Sequence, residues 1–225
     1  MTGKLSAGIL ASGVFGALAW AVIRLPTPAP GLTDQAFGAL DASGVTNPVT
    51  AVLLNYRSTD TLLELGVLLL AVVSIWALGR STGAGFGRPP GPLFAGLLRV
   101  LLPLLVLFGG YLLWIGAFAP GGAFQGGALV GGAIVLAVLG GLSPSRFAGR
   151  PALLRVGLTA GLVVFASIGL AVMLAGGWFL DYPDGFAKTL ILVIEAAATL
   201  SIGLTLGCLF IGGEPTADDR SEPSS

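Results

Sequence analysis

The stretch "LNYRSTDTLLELGVLLLAVV", Leu54 to Val73, places an arginine and two carboxylates ahead of a long hydrocarbon run. About 20 predominantly apolar residues are what a helix needs to cross a bilayer. The rest of the chain has the same character. Of its 225 residues, 55% are apolar and 10% are charged, whereas a soluble domain carries about a quarter charged residues. The mean hydropathy is strongly positive. The chain therefore reads as an all-α, polytopic integral membrane protein. Its 36 glycines suit helices that must approach closely in lipid, where no hydrophobic effect drives them together.

Working outward from Leu54–Val73, the hydropathy pattern predicts about six spans: 5–23, 59–78, 92–118, 124–142, 153–175 and 188–211. The first could also be read as a secretory signal, since Lys4 precedes it and small residues lie near Ala17 and Ala19. Its length favours a retained helix. Between the first two spans, "LPTPAPG" cannot be regular helix. In "TNPVTAVLLNYR", Asn47 is placed to cap a short helix with Pro48 at its first position. The linker "RSTGAGFGRPPGP" divides the chain into residues 1–80, with two spans, and 81–213, with four. Residues 214–225 read as a disordered acidic tail.

Basic residues set the expected orientation. Lys4, Arg80, Arg88, Arg99, Arg146, Arg150, Arg155 and Arg220 fall on one side of a six-span chain, and Arg24, Arg57 and Lys188 on the other. That asymmetry puts both termini in the cytoplasm. Trp20, Trp76, Trp114 and Trp178 fall near span ends, as interface anchors do. The chain has no histidine and a single cysteine, Cys208, in an apolar run. Histidine acid–base chemistry, the common metal sites, haem and iron–sulfur ligation and internal disulfides are thereby excluded, and no resident cofactor is expected. A net charge of zero gives nucleic acid no electrostatic footing.

The carboxylates then become the informative residues. Arg57, Asp60 and Glu64 are spaced three and four apart and share one helical face. Lys188 and Glu195, in "KTLILVIEAAATL", share another. At about 1.5 Å per residue, Glu64 and Glu195 lie at a matched depth of roughly 10 Å below the outer surface. An ionised acid facing lipid there is costly. Each must be neutral, paired or beside a wet cavity. Arg57–Asp60 can be an interfacial ion pair, and the two glutamates can be structural hydrogen-bonding groups. Alternatively the set forms a cation or proton path, because a desolvated carboxylate can exchange H⁺ for another cation.

A second signal is "APGGAFQGGALVGGA", Ala119 to Ala133. Pro120, Gly121 and Gly122 end one span, and Gln125 is the polar side chain of the turn. Gly122 and Gly126, then Gly127 and Gly131, are each four apart and make small-residue faces. The turn is either a tight hairpin or irregular backbone bordering an ion cavity.

The "PGGAFQGG" motif and the glycine-rich span after it resemble the MnhB/MrpB subunit of multisubunit monovalent cation/proton antiporters, the Mrp type. That family usually has a third glycine where Ala123 stands, and often a histidine upstream. The likeness covers roughly Pro92 to Gly212. The earlier segment, about Gly44 to Leu78, is similar to the C-terminal end of the large MrpA subunit and to a small subunit of membrane-bound hydrogenases. It matches at Asn47, Val49, Arg57, Asp60, Thr61, Leu62 and Glu64, with Tyr56 for phenylalanine and Asn55 for an acid. A fusion of the two modules is the simplest account.

The resemblance implies an accessory subunit in a bacterial or archaeal cell membrane. Its partners would be other Mrp-type subunits, including large proton-pumping subunits like those of respiratory complex I. It would contribute to Na⁺ and H⁺ passage, with Asp60 and Glu64 carried over from the first motif. A place in a redox-driven complex such as a hydrogenase, or a purely scaffolding role, stays open. A free-standing enzyme is not expected, because the loops are too short to fold a catalytic domain.

Overall fold

The computed structural model describes residues 2–25, 31–79, 91–141, 150–183 and 185–212, without the side chains of 2–5 and 7. The Gly/Pro linker at 80–90 and the acidic tail lie outside the described residues. Among the described residues every regular element is helical. The six predicted spans appear as α1 (Thr2–Ile23), α4 (Ser58–Leu78), α5 (Pro92–Ile115), α6 (Ala123–Leu139), α7 (Pro151–Leu174) and α8 (Ala187–Ile211). Four of these, α4, α5, α7 and α8, are long and apolar enough to cross a membrane. Gly8–Ile23 and Ala123–Leu139 are shorter apolar helices. With 17 residues, α6 is about 26 Å long, a little short of the roughly 30 Å hydrocarbon core.

The segment between the first two spans holds more helix than its sequence suggests. It contains α2 (Thr33–Gly38), a 3₁₀ turn (Leu40–Ser43), α3 (Pro48–Ala51) and a π-helical turn (Val52–Tyr56). Asn47 caps α3 as expected: its side chain accepts a bond from the Val49 N–H, and Pro48 takes the first helical position.

By compactness the chain falls into two units that meet at Phe37/Gly38. In the first unit α1 carries apolar side chains all round, among them Ile9, Leu10, Val14, Phe15 and Leu18, the pattern of a lipid-embedded helix. The Arg24 guanidinium lies 5.3 Å from the Trp20 ring centroid, a cation–π contact at the helix end.

In the second unit α8 is the central post. It packs against α6, α7, α4 and α5, and α6 packs against α5. More than half of α8's apolar window is buried, 56% against 11% for α5. Small residues make this possible. A Cβ on Gly127 of α6 would stand 2.7 Å from the Ile202 side chain, and one on Gly203 of α8 would stand 2.6 Å from Val130 Cγ1. Each glycine is thus the socket for a branched residue of the facing helix. Ile191, Ile194 and Phe165 fill the core between them. Cys208 is buried in a smaller cluster with Val72, Leu154 and Leu158, the apolar placement its neighbours implied. Trp76 departs from the anchor pattern: it packs against that cluster, and its indole N–H is buried without a partner among the described residues.

Gly127→Val should force α6 away from α8 and lower stability by about 1–3 kcal/mol. Gly132→Ala on the same helix meets nothing within 4 Å and should leave the melting temperature unchanged or slightly raised. Thermal unfolding of the detergent-solubilised chain distinguishes the two.

Candidate functional site

Glu195 lies on the inner face of α8 and is 4% exposed. The residues opposite it belong to the glycine turn. After α5 the chain folds back within a few residues, and three glycines leave the space for it. A Cβ on Gly116 would meet the Gly122 backbone at 2.7 Å, and one on Gly121 would meet Leu112 O at 2.5 Å. Gly122 has φ +108°, and a Cβ there would sit 2.6 Å from Glu195 Oε1. Only glycine combines that backbone angle with that clearance. The turn delivers the first residue of α6 to the acid, and the Ala123 N–H donates to the Glu195 carboxylate. Helix N-termini carry free N–H groups and the positive end of the macrodipole, so an acid is well placed there.

The other carboxylate oxygen, Oε2, is buried and has no hydrogen-bond partner among the described residues. A cavity of about 30 Å³ adjoins it, lined by Thr50, Leu53, Leu54, Thr61, Gly121, Gly122, Ala123, Gln125, Phe165 and Ile194 among others. That volume holds about one water molecule or a small cation. Two lining residues, Val49 and Gln125, are exposed, so the cavity lies close beneath the surface.

The hydroxyls around this space are all turned toward backbone carbonyls. Thr50 donates to Gly116 O at 2.5 Å and Thr61 to Leu53 O at 2.7 Å. Thr199 donates to the Glu195 carbonyl at 2.7 Å, and Tyr182 to Leu54 O at 2.8 Å. The π-helical turn explains two of these bonds, because its irregular ladder frees carbonyls that Thr61 and Tyr182 then satisfy. The consequence is chemical. With their protons directed to carbonyls, none of these hydroxyls donates to Oε2, which leaves that oxygen able to accept a proton or a cation.

Thr46 and Asn47 supply the clamp on the turn. Asn47 Nδ2 donates to Gly116 O at 2.7 Å and to Ala119 O at 2.8 Å. The Thr46 and Asn47 N–H groups both donate to Ala117 O at 3.3 Å. Tyr182 closes the assembly from the segment between α7 and α8. Burial first, and then the charge of Glu195, push its phenol pKa well above the ordinary value. The neutral phenol is the form that donates to Leu54 O.

The predicted residues divide accordingly. Glu195, Gly121, Gly122 and Gln125 meet at the cavity, Gly126 and Gly127 pack behind it, and Pro120 is exposed at the turn. Glu64, Asp60, Arg57 and Lys188 do not line it. Arg57 and Asp60 form an exposed ion pair. Lys188 rests with its ammonium 4.0 Å from the Phe118 ring centroid rather than on Glu195, seven residues along the same face. Glu64 is exposed on α4, so matched depth did not bring the two glutamates together. Thr50, Thr61, Tyr182, Thr199 and the Ala123 N–H were not anticipated. Thr199, four residues after Glu195 in an otherwise apolar helix, was the available signal.

Residues 93–214, more than half of the chain, match the family described as a domain related to the MnhB subunit of Na⁺/H⁺ antiporters. The chain belongs to this MnhB-related family. No curated protein sequence matches it. The fold is shared with a chain of the Mrp complex from Dietzia sp. DQ12-45-1b at 23% identity and TM-score 0.59. That alignment covers 98% of the present chain and 26% of the other, so this MnhB-related chain spans about a quarter of that one. A chain of the membrane-bound sulfane sulfur reductase, an archaeal respiratory membrane complex, aligns at 25% identity and TM-score 0.61. There the alignment covers 94% of this chain and 98% of the other.

Asn47→Ala removes the side chain that satisfies two turn carbonyls and should cost about 1–3 kcal/mol, read as a lower melting temperature in detergent. The raised phenol pKa has a pH signature of its own. Tyr182 contributes stability in full below its unfolded pKa of about 10 and loses it as pH rises further. Tyr182→Phe should flatten that alkaline decline in a pH series of thermal melts.

Proposed function

We propose that this chain is a membrane subunit of a multisubunit monovalent cation/proton antiporter, with Glu195 as the group that binds H⁺ and Na⁺ in turn. One observation carries the reading: the buried Glu195 oxygen without a donor among the described residues, set beside a small cavity whose mostly apolar lining includes Thr50, Thr61 and Gln125. Such a site accepts a proton or a hard cation coordinated by oxygen, but not both together. The Ala123 N–H keeps the carboxylate in place in either state. Family membership supports the antiporter assignment, and the fold shared with a chain of an Mrp complex supports the assembly.

In this reading the partners are other Mrp-type subunits, including the large complex-I-like proton pumps. The chain sits in a bacterial or archaeal cell membrane with both termini in the cytoplasm. It has no enzymatic chemistry of its own. The nearly end-to-end match to a chain of a respiratory complex favours one second reading, the same subunit placed in a redox-driven assembly.

Glu195→Gln keeps an acceptor for the Ala123 N–H and removes the exchangeable proton. In inverted membrane vesicles it should lower Na⁺-dependent proton flux by about tenfold or more while the complex still assembles. Full flux per assembled complex would overturn the role of Glu195. Mass spectrometry of the purified complex separates the two assemblies: iron–sulfur or nickel–iron subunits beside this chain would establish the redox-driven one.

A further inference from the structure

Glu64 is a charged side chain on a membrane-length helix that has no ion pair among the described residues. On α4, Ser58, Thr61, Leu65 and Val72 form the buried face, while Leu63, Val67, Leu70 and Val73 are all more than half exposed. Glu64 stands on the flank between these faces and is itself exposed. Among the described residues it has no ion pair. The basic groups near its end of the bundle are engaged elsewhere, Arg57 with Asp60 and Lys188 over the Phe118 ring. Arg80 and Arg88 follow the far end of α4, which lies about 21 Å along the helix axis from Glu64.

The Leu/Val stripe by itself would be content in lipid, but a carboxylate on a membrane-spanning helix would not. Irregular backbone cannot cover it within the bilayer, since every polar group there must find a partner. A helix bringing a complementary side chain can. Because the Arg57–Asp60 pair is already neutral, the face is left with one negative charge, and one positive charge balances it.

We infer that the face of α4 formed by Leu63, Glu64, Val67 and Leu70 is the docking surface for a transmembrane helix of another subunit, which brings a lysine or arginine to Glu64. The inference rests on the proposed membership of a multisubunit assembly but not on the transport role of Glu195.

The test uses the whole complex in its native membrane. p-Benzoylphenylalanine is introduced in place of Leu63 and, separately, of Val67; the membranes are irradiated and the adducts sequenced. The expected adduct is a transmembrane peptide of another subunit with a lysine or arginine within about one helical turn of the linked position. Glu64→Lys should then lower co-purification of that subunit by about tenfold or more, and changing the mapped base to glutamate should restore it. Adducts to lipid alone overturn the inference, as does an adduct to a helix without a base. So does Glu64→Lys that co-purifies normally, or whose loss the reciprocal change does not repair. Full flux from Glu195→Gln alongside the expected adduct would remove the transport role and leave the docking surface standing.

Discussion

The backbone N–H of Ala123 and the carboxylate of Glu195 meet across two helices, and much of the second unit is arranged so that they can. For α6 to present its first free N–H to α8, the chain must leave α5, reverse, and begin α6 within a few residues. Gly116, Gly121 and Gly122 permit this because side chains there would collide with the turn's own backbone or with the acid. A reversal this tight exposes carbonyls that the α5 and α6 ladders cannot satisfy. Asn47 and Thr50 take up those of Gly116 and Ala119. The segment around Asn47 and Thr50 thereby becomes part of the site, although it contributes no ionic group to it.

The same economy of donors shapes the cavity. In lipid a buried carbonyl without a partner is expensive, and the hydroxyls of Thr50, Thr61, Thr199 and Tyr182 all go to carbonyls. None is left for Glu195 Oε2. A soluble protein would meet such an orphan with solvent. In the proposed function this oxygen, beside a cavity lined in part by Thr50, Thr61 and Gln125, is where a proton or cation binds.

Glu64 shows the opposite arrangement. Its residue type and position resemble those of Glu195, yet it stands on a helix whose apolar window is only 17% buried. One glutamate is enclosed by its own chain and faces a cavity; the other is left for a neighbour to complete. In the proposed assembly the first serves as an internal site and the second as a surface whose charge a neighbouring subunit balances.

Much of this architecture was legible in the residues. Among the described residues hydropathy located the four helices long enough to span a membrane and two shorter apolar ones, because in lipid the backbone has no alternative to helix across a span. Local chemistry identified the Asn47 cap, and burial alone marked Glu195 as a group needing an explanation. Pattern could not say which neighbour each polar group would meet. Helical spacing put Lys188 on the face of Glu195, but the ammonium turned to Phe118; equal depth paired Glu64 with Glu195, but depth says nothing about the direction a helix faces. The partners of Glu195 are a backbone N–H seventy-two residues earlier and a space bounded by residues from several helices. Backbone donors carry no signature in residue type, and a cavity belongs to no single segment, so only the packed chain could bring them together.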